Sequence, residues 1–172
     1  MQQSISYVEK AQNIIETLLP NWRVLSVEGH ENKVCKILDM NCGLDYLLFS
    51  NKTSLVYGLA SRVQYNKNYR TFTIRKDRKS GTRTEYEKRK IALAVDGITP
   101  LYTMQMYVED GQILGLALTH TKDLIKFIDE GHAEIKRTLS DKIGQAEFYI
   151  CKWDKMKNLG YTVLEYNYEN NK

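Results

Sequence analysis

Apolar residues recur at helical spacing early in the chain, at Ile5, Val8, Ile15, Leu18 and Leu19. Ser6 followed three residues later by Glu9 has the form of a capping box, and Pro20 ends the helix. Residues 22–29 read as a strand around Val24 and Val27. In 32–39, Val34, Ile37 and Leu38 suit a short helix or a strand. Two apolar runs, 43–50 (GLDYLLFS) and 55–65 (LVYGLASRVQY), flank a polar turn at 51–54 and pair most simply as a hairpin. Residues 71–75 (TFTIR) alternate cleanly as a third strand, and Lys79-Ser80-Gly81 is a turn signal. Thr84 is placed to cap a helix over 85–95.

In the second half, Tyr102, Met104, Met106 and Val108 share one face of a strand over 99–108, with Gln105 on the other. Asp110-Gly111 is a hairpin turn leading into a continuous apolar strand at 113–118, expected near the sheet centre. Thr121, Leu124, Ile125 and Ile128 predict a helix that Gly131 closes. A strand at 147–152, a short helix at 153–159 stopped by Gly160 and a last strand at 161–166 complete the pattern. The order predicts an α/β fold, with α+β as the alternative: one mixed β-sheet flanked by helices. No internal repeat or linker composition divides it, so residues 1–172 read as a single domain with a frayed end at 168–172.

Composition changes this picture little. The chain is 42% hydrophobic and 27% charged, with two prolines, as in an ordinary globular domain. No 18-residue apolar stretch and no leader pattern is present, which leads us to expect a cytoplasmic protein without membrane contact. Three cysteines and three histidines are scattered without metal-ligand spacing, and no phosphate-loop, dinucleotide or serine-hydrolase motif occurs. Abundant Asn, Lys and Tyr suggest an AT-rich genome, bacterial or phage.

Charge changes it more. Residues 62–90 hold eleven Lys and Arg against three acids, a net of about +8 in a chain whose total is +4. Tyr65, Tyr69, Phe72 and Tyr86 are interleaved with these cations. Local positive charge attracts phosphates and rings stack on bases, so this block predicts a nucleic-acid face, DNA and RNA not being distinguished. The candidate contacts are Arg62, Gln64, Arg70, Arg75, Arg78, Lys79 and Arg83. The loop-tip charges should matter more than Lys88, Arg89 and Lys90, which Glu85 and Glu87 neutralise at helical spacing.

A leading helix, a hairpin with Gly43-Leu44-Asp45 on one strand, and Gly58-Leu59-Ala60-Ser61-Arg62-Val63-Gln64 on the next together resemble the core of the PD-(D/E)XK (restriction-endonuclease-like) nucleases. The resemblance covers roughly residues 5–95. It implies a metal-binding Asp45, a helix-1 Glu (Glu9 or Glu16) joining it, Mg²⁺ as cofactor, and a phosphate-side cation at Arg62. Where that family carries Glu-x-Lys, this chain has Ala60-Ser61-Arg62. The second metal carboxylate is missing, and Arg grips phosphate as a fork without giving up its proton. The sequence therefore points to a nucleic-acid-binding protein with a degenerate nuclease-like core that does not cleave and needs no cofactor. Two alternatives stay open. One is an active Mg²⁺-dependent nuclease using Asp45, Glu9 or Glu16 and Arg62. The other is an accessory factor docking an acidic protein on the basic loop. Oligomeric state is open, a homodimer included.

Overall fold

A computed structural model describes residues 2–27, 32–65, 67–77, 81, 83–138 and 146–168, the side chains of 2–9, 41 and 138 excepted. Helix α1 (Gln2–Leu18) leads into β1 (Trp22–Ser26), α2 (Lys33–Cys42), β2 (Tyr46–Ser50) and β3 (Val56–Tyr65). Strand β4 (Thr71–Arg75), α3 (Glu85–Ala94), β5 (Pro100–Glu109), β6 (Gln112–His120) and α4 (Thr121–Asp129) follow. The chain closes with β7 (Glu134–Thr138), β8 (Ala146–Lys152), α5 (Trp153–Asn158) and β9 (Leu164–Asn167). Six strands form a curled mixed sheet in the order β1-β2-β3-β5-β6-β9, in which only β3 and β5 run parallel. The other three form a small antiparallel sheet, β4-β8-β7. The α/β class is as the pattern predicts.

Alternation divides the large sheet into two faces with separate cores. One face carries Tyr46, Leu48, Leu59, Met104, Met106, Leu116 and Leu118, covered by Ala11, Ile15 and Leu19 of α1 and its end. On the opposite face, Tyr107 and Ala117 meet Phe72 and Ile74 of β4, Leu124, Phe127 and Ile128 of α4, and Trp153 and Met156 of α5. Fully burying one such side chain is worth about 1.5–3 kcal/mol. Two cores on one sheet thus hold the small sheet and three helices against it.

Local chemistry sets the boundaries. Asn32 accepts from Val34 N and Gly43, at φ 63°, closes α2, which resolves 32–39 as helix. Thr84 and Glu87 form a complete capping box on α3. Asp110 and Gly111 both take positive φ (47° and 80°), the hairpin geometry their sequence predicts.

Four expectations need correction. The first helix begins by Gln2, so Ser6 lies inside it and is no cap. The first strand ends at Ser26 and not at residue 29. Strand β7 (EIKRT), which the hydrophobic pattern does not predict, is the outer strand of the small sheet, and its charges suit an edge. The strands form two sheets where one was expected. Among the described residues no helix is long and apolar enough to cross a membrane.

Candidate polyanion-binding cluster on the inner sheet face

Strand β3 orders the candidate site. In its parallel register with β5, Gly58 faces Pro100, Ala60 faces Thr103, Arg62 faces Gln105 and Gln64 faces Tyr107. Because Leu59 points into the α1 core, Ala60, Arg62 and Gln64 belong to the opposite face, with Thr103, Gln105 and Tyr107 beside them.

The small sheet meets this face through the open edge of β4. Thr73 N donates to Gln105 Oε1 at 3.2 Å, and Thr73 Oγ1 donates to the same atom at 3.0 Å. Thr71 N donates to the Tyr107 hydroxyl at 3.3 Å, which itself donates to Thr71 O at 2.9 Å. An edge strand's unpaired backbone groups are thereby met by two side chains of β5. Gln105 is 1% exposed, and its Nε2 has no acceptor among the described residues.

Arg75 lies two residues beyond Thr73 on the same face of β4, opposite Phe148 on β8. The Phe148 ring carries two guanidiniums, Arg62 at 4.9 Å and Arg75 at 5.5 Å from its centroid. Arg62 also reaches Glu85 of α3 at 3.5 Å, a long ion pair with both side chains partly exposed. Burial pulls the Arg62 pKa down, Glu85 offsets this, and Arg75 adds to the depression. Arg75 has no carboxylate partner among the described residues, and its Nε is buried without an acceptor there.

One layer along the strands, Arg89 of α3 donates to Thr103 Oγ1 at 3.1 Å, and Thr103 and Thr121 hydroxyls are 3.0 Å apart. Burial lowers the Arg89 pKa, Glu85 and Asp45 oppose this, and Arg62 reinforces it. Asp45 and Arg62 therefore do act on a common neighbour. Asp45 precedes the first residue of β2, and its Oδ2 accepts from Ser61 N while its own N donates to Leu59 O at 2.9 Å. The carboxylate thus extends the β2–β3 ladder by one rung.

The other sequence candidates separate. Glu16 lies on α1, which packs on the opposite face of the sheet, so it does not join Asp45 and Arg62. Its carboxylate accepts from Val24 N on the β1 edge at 3.0 Å and pairs with Arg23 at 3.0 Å. Glu9 is on the same helix, its side chain outside the described residues. Arg70, at φ 52°, is held by Asp154 at 2.8 Å and Glu165 at 3.1 Å, away from the Arg62 layer. Gln64 flanks Arg62 half-buried; Arg83 is exposed before α3; Arg78 and Lys79 lie outside the described residues.

Sequence reasoning missed Phe148 and Arg89 as a packed guanidinium. Gln105, a lone polar residue in an apolar strand, calls for a buried hydrogen bond, and it accepts one from Thr73. Glu85 and Glu87 behave differently from the helical pairing expected. Glu85 serves Arg62 as well as Arg89, Glu87 caps Thr84, and Lys90 pairs with Asp129 of α4 at 2.9 Å.

The residues around Asp45 do not fit a Mg²⁺ centre. The Asp45 carboxylate accepts from Ser61 N and opposes the Arg89 charge, and Glu85 is engaged by Arg62, so both carboxylates already serve groups of the chain. Among the described residues no group of three or more His, Cys, Asp or Glu is placed to hold a metal. No family model, curated protein or solved structure matches this chain.

Proposed function

We propose that this chain binds nucleic acid through the Arg62–Arg75 cluster and does not cleave it, its nuclease-like pattern serving as a binding scaffold. One observation carries the reading: the cluster has more hydrogen-bond donors than acceptors. Two partly exposed guanidiniums share one aromatic ring, and Glu85, paired with Arg62, is the one carboxylate among the described residues found to reach either. A phosphate supplies several acceptor oxygens and negative charge together, and arginine's fork suits it. The exposed Arg83, Lys67 and Lys88 extend the positive field, and Tyr65 and Tyr69, each more than half exposed, offer ring faces for bases.

Fluorescence anisotropy with labelled single- and double-stranded DNA and RNA, in a salt series with and without Mg²⁺, tests this. Affinity should fall linearly with salt on logarithmic axes, and the oligonucleotide should stay intact. Absence of binding at low salt would remove the nucleic-acid reading. Mg²⁺-dependent cleavage lost in Asp45→Ala would replace it with the nuclease.

A further inference from the structure

The two exposed tyrosines of the basic block, Tyr65 and Tyr69, stand in different places. Tyr65 closes β3 beside Val108 of β5, and both alternate with Leu59 and Met106 onto the face that α1 covers. Tyr69 lies on the face of the guanidinium cluster. Its ring meets the Tyr107 ring in a T-shaped contact, centroids 6.2 Å apart, and Tyr107 is buried in the core under β4. The Tyr107 hydroxyl links this ring to Arg62. Burial raises its pKa and its bonds to Thr71 lower it, while the Tyr69 phenol raises it and the Arg62 charge lowers it. Along the strands, the Gln64–Tyr107 rung is two residues from the Arg62–Gln105 rung, about 7 Å. A phosphate on Arg62 and Arg75 thus leaves a neighbouring base within reach of Tyr69.

The turn that carries Tyr69 is fixed on both sides of it. Asn68 Oδ1 accepts from Arg70 N at 3.0 Å, which closes an Asx turn around Tyr69. Asn68 also packs directly on Gly115 of β6, where a Cβ would come within 2.2 Å of its Nδ2. Arg70 takes the left-handed region at φ 52°, a costly conformation for a residue with a side chain. Its carbonyl accepts from Trp153 N at 3.0 Å, and Asp154 and Glu165 hold its guanidinium. Between these anchors Tyr69 keeps 55% of its surface exposed. A rigidly mounted, solvent-facing ring is preorganised for stacking.

Stacking selects the state of the strand. Inside a duplex both faces of each base are covered by its neighbours, and freeing one is costly. In a single strand the bases are available to aromatic side chains. We infer that the Arg62–Arg75 cluster takes single-stranded nucleic acid, with a phosphate on the guanidiniums and an adjacent base stacked on Tyr69. This rests on the nucleic-acid reading of the cluster and adds to it the strand state and the base contact.

Anisotropy with a labelled single strand, the blunt duplex and an abasic strand of equal length tests the inference in wild type, Tyr69→Leu and Tyr69→Phe. Wild type should bind the single strand at least about tenfold more tightly than the duplex at the same salt. Tyr69→Leu should lose about tenfold on the single strand, and Tyr69→Phe should stay within about twofold. Damage to the turn would weaken the abasic strand as well, whereas loss of stacking does not. The abasic strand should therefore bind wild type and Tyr69→Leu alike. Equal or tighter binding of the duplex, no loss in Tyr69→Leu, or the same loss on abasic and base-bearing strands would overturn the inference and leave the nucleic-acid reading standing. Binding of no strand by wild type at low salt would remove both.

Discussion

Gly58 and Arg62 are four residues apart on β3, roughly 13 Å at the rise of an extended chain. The sheet face changes between them from an apolar cleft to a pair of guanidiniums. The Arg89–Thr103–Thr121 layer lies between, with Asp45 opposing the Arg89 charge. The two surfaces fall short in opposite ways. Around Arg62 and Arg75, donors outnumber acceptors; beside α2, hydrocarbon outnumbers the groups that cover it. The first shortage calls for an anion rich in oxygens. Most other conspicuous polar side chains nearby satisfy backbone groups instead: Asp45 takes Ser61 N, Glu16 takes Val24 N and Gln105 takes Thr73 N.

That distinction between ligand groups and backbone acceptors gives graded outcomes. Replacing Arg62 and Arg75 together by Ala should cost nucleic-acid affinity about 100-fold, at about 1.5 kcal/mol per charge-assisted contact, with the unfolding midpoint little changed. Equal affinity in the double variant would assign the charge to packing alone. Asp45→Ala should cost about 2–3 kcal/mol in urea unfolding, because it strips Ser61 N of its acceptor and Arg89 of an opposing charge. Asp45→Asn, which keeps an acceptor oxygen, should lose less. Glu16→Ala should cost about 1 kcal/mol and leave nucleic-acid affinity unchanged; a loss of affinity would place the first helix in the site after all. The smallest effect concerns thiols. Burial pushes the Cys151 thiol up to about 12, so almost no thiolate exists there at pH 8 and alkylation should be negligible in the native protein. Cys35 and Cys42 on α2 are half-buried and should react with iodoacetamide.

How much was legible follows the range of each interaction. The hairpin of β2 and β3, the α3 cap, the Asp110-Gly111 turn and the two faces of β5 are local patterns, and the sequence shows them. Strand β7 was missed because Ile135 is its one apolar residue, and an edge strand of a small sheet needs no more. The basic block misled through distance. Lys76 finds Glu147, Arg70 finds Asp154 and Glu165, and Lys90 finds Asp129, all at least 39 residues away. A count within 62–90 sees the cations and none of those partners. Much of the apparent surplus is therefore neutralised by the fold; among the described residues Arg75 and the exposed Arg83, Lys67 and Lys88 keep no carboxylate partner, and Arg62 has Glu85.

Gln105→Glu separates scaffold from site more directly than any other change. A carboxylate there still accepts from Thr73 N and Oγ1, and it adds a negative charge beside Arg62. Thermal unfolding and oligonucleotide anisotropy measured on the same preparation should show a retained or higher midpoint together with an affinity at least tenfold weaker. A retained midpoint with undiminished affinity would contradict the assignment of this cluster as the nucleic-acid site.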